Sequence, residues 1–363
     1  MKLRVDAWSD AQFAASKPAW DDLLALSEAD PLFMSWDWQW RWWTHHAGML
    51  GAKLRVLAVY AGDELVALAP FYLHTVVVRR FSRVRRLELI GIAWRDARAF
   101  FSDYLDVIAA RGWEPSVLEA LAGWLEAEPE WDELVLCGIR SSGLACRFAG
   151  QELRRLAYVR EVDPMRAWCA PLPARFEDYV AGLEAEVRRK LFNQRRKLKE
   201  PDIQYAQPGD IGEYLGQLAS YSAKRWGGGA PAEDPQTAFL LGLGEALAAR
   251  GELRLSRLVT AEGPRSILYA VRRNDTVYYV QSAFEPVGSR GVSLGYLHFG
   301  YAIEAACAEG AAQFDFLAGE GRHRDYKQDL RTEIVTIVSY HAVRGRLARW
   351  LYSLYARIER ARA

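Results

Sequence analysis

A chain of 363 residues, 51% apolar and 26% charged, has the composition of a folded globular protein and the length for two domains with a core each, which excludes a disordered chain. Its 47 Lys and Arg nearly cancel its 46 Asp and Glu, and the net charge of +1 argues against bulk attraction to nucleic acid or to a membrane. No run of eighteen apolar residues occurs and the N-terminus "MKLRVDAWSD" has no apolar signal core, so a cytoplasmic location is expected.

The chain opens with a strand from Leu3 to Trp8, a helix from about Pro18 to Ala29 and the aromatic run "PLFMSWDWQWRWW". Trp36, Trp40 and Trp43 recur at helical spacing, which reads as core, with an aromatic ligand wall as the alternative. His45 and His46 have no partner at metal spacing. Strands from Leu54 to Tyr60 and from Leu65 to Leu73 flank "AGDE", a hairpin turn, and "RRLELIG" and "YLDVIAA" read as further strands. Asp103, Tyr104 and Asp106 stand at the start of the last of these, as candidates for substrate binding or merely for solubility. Asp103 and Asp106 fall on opposite faces of an ideal strand and do not form a simple pair. A helix from about Trp113 to Ala127 then leads to the strand "ELVLCGI".

The proline-rich "VDPMRAWCAPLPARF" marks a domain boundary, giving domains 1–165 and 166–363. Beyond it, "EAEVRRKLFNQRRKLKE" repeats Leu183, Val187, Leu191 and Leu198 along one stripe and reads as a solvated amphipathic linker helix, with anion binding as the alternative. The helix "YLGQLASYSAKRW" ends in Arg225 and Trp226, candidates to line an acceptor cleft beside a glycine-rich loop that could act as a lid. A helix "TAFLLGLGEALAARG", the strands "LRLSRLV", "SILYAVRR" and "TVYYVQSAF", a helix from Leu297 to Glu309 and the strand "FDFLAG" complete the order. Each half thus sets an antiparallel pair before a helix and a further strand. The expected fold class is α/β with mixed (α+β) sheets, in two domains of similar plan.

The chemistry concentrates between Tyr278 and Leu330. A strand ending in Gln281 and Ser282, a loop with Gly288, Ser289 and Gly291, and a helix start near Gly295 would aim backbone N–H groups at an anion. The spacing matches neither G-x-G-x-x-G nor a P-loop. The next strand carries Asp315, followed by His323, Tyr326 and Lys327. An anion cradle, a carboxylate and a phenol suit acyl transfer from a phosphate-bearing thioester to an amine. Asp315, or a water it orients, would take the amine's proton, and Tyr326 would protonate the leaving thiolate. Asp315 could equally cap a turn, and Lys327 could pair with Asp315 or with a substrate carboxylate.

Cys137, Cys146, Cys169 and Cys307 lie far apart, so buried free thiols and no metal site are expected. The C-terminal "RGRLARWLYSLYARIERARA" sets Leu347, Trp350, Leu351, Leu354 and Ile358 on one face against six arginines, a helix suited to docking on its own domain or to peripheral membrane contact.

In "RRKLFNQRRKL", "SAKRW", "SILYAVRR", "TVYYVQSAF", "SLG", "AEGAAQFDFLAG" and "DYK", the run from Leu183 to Leu330 resembles the CelD-type acetyltransferase-like family of the GNAT superfamily, relatives of the FemAB peptidoglycan aminoacyltransferases. "LFMSWDWQWRWW", "ELVALAPFYL" and "FSDYLDVI" extend the resemblance into the first half. It implies two tandem GNAT-like domains with acyl-coenzyme A in the second. Val280, Gln281 and Ser282 would lie along the pantetheine arm, and Arg290, Gly291, Val292, Ser293, Leu294 and Gly295 would hold the pyrophosphate. The chain departs from the family where Leu294 replaces a usual proline and where Arg322, His323 and Arg324 are inserted beside the site. The expected activity is N-acylation, with acetyl the expected group, of a small amine or amino sugar, linked to envelope polysaccharide. A FemAB-like aminoacyl-tRNA-dependent transferase and a catalytically inactive partner of a polysaccharide synthase are the alternatives.

Overall fold

The computed structural model describes residues 2–78, 82–226, 235–285, 291–319 and 326–345. In chain order the elements are β1 (Arg4–Ala7), α1 (Asp10–Ala15), α2 (Lys17–Ala25), α3 (Trp36–Leu50), β2 (Lys53–Ala61), β3 (Glu64–Val78), β4 (Ser82–Leu89), β5 (Ile108–Ala109), α4 (Glu114–Ala127) and β6 (Glu133–Arg140). There follow α5 (Leu144–Phe148), a π turn (Ala149–Leu153), α6 (Arg154–Leu156), β7 (Tyr158–Pro171), α7 (Phe176–Ala181), α8 (Ala185–Leu191), a 3-10 turn (Asn193–Lys197) and β8 (Asp202–Tyr205). The chain continues through α9 (Ile211–Trp226), α10 (Pro235–Ala248), β9 (Leu253–Thr260), β10 (Gly263–Arg273), β11 (Thr276–Phe284), α11 (Leu294–Ala308), β12 (Gln313–Ala318), a 3-10 turn (Tyr326–Asp329) and β13 (Glu333–Val343).

These form two compact units, one of residues up to Met165 with the chain from Thr336, the other Arg166–Val335. The sheet of the first unit runs β1-β2-β3-β4-β6-β13 and is antiparallel except at β4–β6, which α4 connects. The second runs β8-β9-β10-β11-β12 and then the end of β7, antiparallel except at β11–β12, which α11 connects. A helix crossover is what allows a parallel pair, so each unit is a mixed α/β fold with one such crossover.

Three features differ from the sequence reading. The proline-rich segment expected at the domain boundary falls largely within the long strand β7, whose register with β12 runs only from Ala167 to Pro171, so Pro164 lies outside that ladder and Pro171 at its end. Residues from Thr336 pair with β6 of the first unit rather than closing the second. The basic helix breaks at Phe192 and is not a solvated linker: Val187 and Leu191 are buried in a cluster with Phe299 and Ile303 of α11. The contact is close enough that a Cβ at Gly300 would stand 2.1 Å from the Leu191 carbonyl oxygen.

In the first unit α3 begins at Ser35, whose hydroxyl accepts from Trp38 N, and ends at Gly51 in the left-handed region. Trp38, Trp42 and Trp43 are buried, whereas Trp36 and Trp40 are half-buried and stack on each other at 5.6 Å. The helix therefore buries the stripe next to the one that the 36-40-43 spacing singles out. No helix among the described residues is long and apolar enough to cross a membrane.

Candidate active site

The second unit opens where β11 and β12 part. Their parallel register covers Thr276↔Gln313, Val277↔Phe314 and Tyr278↔Asp315 and then stops, although β11 continues to Phe284. Along its other edge β11 stays paired with β10, but the register passes from Gln281 to Tyr279 and skips Val280. Val280 is thus the extra residue of a β-bulge, a device that interrupts the ladder and re-aims backbone groups. Burial falls at the same place: Thr276 to Tyr278 are buried and Tyr279 to Ser282 half-buried. Val280, Gln281 and Ser282 therefore line one side of the gap.

Beyond β11 the described chain resumes at Gly291 and enters α11. A Cβ at Gly295 would lie 3.1 Å from the Phe284 ring, which fixes the helix start against the end of β11. The first turn of a helix leaves N–H groups unpaired by the helix itself, and its dipole favours an anion there. Gln194, buried in the 3-10 turn after α8, spans the loop: its amide nitrogen donates to Gly291 O at 2.6 Å and its oxygen accepts from Ser293 N at 2.8 Å. Gly291 has φ +95°, and a Cβ there would come 3.6 Å from Lys197 Nζ. The basic segment thus supplies both the clamp of the loop and a cation beside it. Sequence reading missed Gln194 and Lys197, since one glutamine among the six basic residues of "RRKLFNQRRKL" carries no signal of which face is buried. Arg290 and His323 lie outside the described residues, as do the "RHR" insertion, Gly288, Ser289, the glycine-rich loop after Trp226 and the C-terminal basic helix.

Phe314 and Phe316 join the cluster around Phe299 and Ile303 of α11, so the alternation of a strand turns Asp315 to the opposite face. Asp315 is buried and its Oδ1 accepts from Leu317 N at 2.8 Å. Tyr326 packs on the α11 face, 5.7 Å from the Tyr296 ring and 6.0 Å from Phe299. Tyr279 shares that face, edge-on to Phe299 at 4.9 Å, with its hydroxyl 2.9 Å from Ser282 Oγ. The structure brings Tyr326, Tyr279 and the helix start together and sets Asp315 across the sheet.

Lys327 is buried beside the end of β12. Its ammonium donates to the carbonyls of Phe316, Leu317 and Ala318 at 2.8, 2.9 and 3.0 Å, which matches its three N–H groups to three acceptors. Leu317 has φ +57°, unusual for a leucine, and Lys327 with Asp315 fixes this turn of the chain.

The other named residues lie elsewhere. Asp103 and Tyr104 are buried in the first unit, Tyr104 under the Arg140 guanidinium at 3.9 Å, so neither presents its side chain to solvent. Asp106 accepts from Val107 N, Leu144 N and Ala145 N, and burial raises its pKa to about 6 against those bonds. His46 is held between Trp42 O and Phe100 N. Arg225 and Trp226 end α9, and their side chains lie outside the described residues. Cys137, Cys169 and Cys307 are buried free thiols and Cys146 is half-buried.

Residues 185–328 match the family described as an acetyltransferase (GNAT) domain. Among solved structures, the chain resembles FemX at 11% identity over 97% of this chain and 99% of that one, with a TM-score of 0.63. A conserved protein of unknown function from Bacteroides thetaiotaomicron VPI-5482 matches at 11% identity, 94% and 100% coverage and a TM-score of 0.58. L-PGS from Bacillus licheniformis matches at 13% identity, 96% coverage of each chain and a TM-score of 0.50. At such identities the likeness is one of fold. No curated protein matches the sequence.

Proposed function

We propose that the chain is an N-acyltransferase that moves an acyl group, acetyl in the simplest case, from acyl-coenzyme A to the nitrogen of a small amine or amino sugar. The observation that carries this reading is the gap between β11 and β12, with the Val280 bulge on its edge and the Gln194-clamped glycine loop at its end. An extended amide-bearing arm fits beside a strand edge with an interrupted ladder, and a pyrophosphate fits a helix start flanked by Lys197. When bound, acyl-coenzyme A supplies an activated thioester carbonyl. Backbone groups at Val280 to Ser282 would bind the arm, and the Gly291–Gly295 segment would bind its phosphates.

On the α11 face Tyr326 is the candidate to give a proton to the departing sulfur, with Tyr279 beside it. Across the sheet Asp315 is the candidate to take the amine's proton, directly or through a water. The GNAT-domain match of residues 185–328 supports the donor reading. A role in envelope polysaccharide synthesis rests on the CelD-type resemblance and is part of the proposal. The FemX likeness over nearly the whole chain favours one second reading, transfer of an aminoacyl group as FemAB relatives perform it.

Calorimetric titration with acetyl-coenzyme A and with aminoacyl-tRNA separates the two. Under the first reading acetyl-coenzyme A binds, and Lys197→Glu, a charge reversal at an exposed side chain, weakens it about tenfold or more. Binding of the tRNA alone, or indifference of acetyl-coenzyme A affinity to Lys197→Glu and Gly291→Asp together, would overturn it.

A further inference from the structure

The first unit contains a cavity of about 590 Å³ that the acyl-transfer reading does not use. Its volume suits a small organic ligand. Among the described residues Arg86, Arg95, Arg98 and Arg160 line it with Trp94 and one carboxylate, Asp96. The end of β3 and the end of α3 give it an apolar wall, with Leu50, Val76 and Val78.

The floor is built from buried charge. Glu88 is fully buried and accepts from Trp94 N at 2.8 Å, Tyr72 Oη at 3.2 Å and His74 Nε2 at 3.1 Å. Glu133 accepts from Arg86 Nε and Nη2 at 3.0 and 2.9 Å and meets His341 Nε2 at 3.3 Å. Burial alone would raise the Glu133 pKa, but His341 and Arg86 outweigh it and hold it at about 2. Arg160 Nε donates to His341 Nδ1 at 3.4 Å. Buried ions are costly to bring together, and here they lock Arg86 and Trp94 in place. Trp94 in turn donates to Asp163 at 2.8 Å and carries the guanidinium of Arg86 4.8 Å and that of Arg95 4.3 Å from its ring centre.

Arg86 has a carboxylate partner in Glu133, Arg95 in Asp163 and Arg98 in Asp96. The lining is rich in N–H donors while its net charge stays small. Such a site favours a group with one negative charge over a dianion, because a second charge would meet the carboxylates behind the arginines. The apolar wall and the indole favour an apolar or aromatic body on the same molecule.

From this geometry we infer that the first unit binds an organic monocarboxylate with an apolar body, its carboxylate among Arg95, Arg98 and Arg160 and its body against Trp94 and the end of β3. The test titrates the full chain by calorimetry with phenylacetate, phenyl phosphate, inorganic phosphate and 2-phenylethanol, and follows tryptophan indole N–H signals by NMR. Phenylacetate should bind at least tenfold more tightly than the other three and shift the Trp94 indole signal, identified with Trp94→Phe. Arg95→Gln with Arg98→Gln should weaken phenylacetate fivefold or more. Both side chains are about two-thirds exposed, 63% and 64%, so the double variant keeps the fold. Equal binding of 2-phenylethanol, tighter binding of phenyl phosphate, no shift of the Trp94 signal, or an unchanged affinity in the double variant would each overturn the inference.

Discussion

Gln194→Ala removes the side chain that bridges Gly291 and Ser293. Two hydrogen bonds are lost, at 2.6 Å to Gly291 O and 2.8 Å from Ser293 N. Each contributes about 1 kcal/mol net, and because Gly291 is exposed, water can replace the bond to its carbonyl. The loss is therefore about 2 kcal/mol, spent on the order of the loop rather than on the core. If all of it appears as lost preorganisation, affinity for coenzyme A falls about 10- to 30-fold, since 1.4 kcal/mol is a factor of ten. Gln194→Glu should fall between, because a carboxylate still accepts from Ser293 N but cannot donate to Gly291 O. Calorimetry with coenzyme A gives the affinity, and urea unfolding of the same proteins shows how much of the effect is general destabilisation. An affinity within twofold of wild type in the alanine variant would refute the clamp.

Gly300→Ala should destabilise by about 1–3 kcal/mol in urea unfolding, because the new methyl would collide with the Leu191 carbonyl at 2.1 Å. Asp315→Asn keeps an acceptor for Leu317 N while removing charge, so a loss of about a hundredfold in turnover, read from the pH–rate profile, marks it as the base. Tyr326→Phe should lower turnover with little change in acyl-coenzyme A affinity. Lys327→Met leaves three carbonyls without their donor and should lower stability together with activity, by about 2–4 kcal/mol in unfolding experiments. His298, fully buried between Ser256 and Ser266, has its pKa lowered by burial to about 3. The unfolded chain takes up that proton first, so its share of stability is complete above pH 6.5 and is lost as pH falls toward 3, about 2 kcal/mol by pH 5. NMR titration should show a neutral His298 ring at pH 5.

Order of elements was readable because the turn residues and the change of period from strand to helix are local signals. "TVYYVQSAF" followed by glycines and an apolar helix is enough to place β11 and α11. What was not readable depends on contacts distant in sequence. Which face of "RRKLFNQRRKL" is buried depends on Gly300, a hundred residues on, and the part taken by Lys327 depends on three carbonyls that only the turn at Leu317 brings together. Tyr104 looked available because it stands at a strand start between Asp103 and Asp106, yet its place in the core is set by Phe33 and Arg140.

The return of β13 to the first unit also bears on how the protein is made. β6 gains its partner from Ile337 to Val343 only after about 200 further residues have been synthesised, which at ribosomal speed takes on the order of ten to forty seconds. During that interval β6 offers an uncovered, largely apolar strand edge, the kind that recruits other chains. A gene fragment ending at residue 165 would carry this edge for its whole life and should collect in insoluble aggregates. A fragment in which a short linker joins residue 165 to residues 336–345 should express as soluble protein.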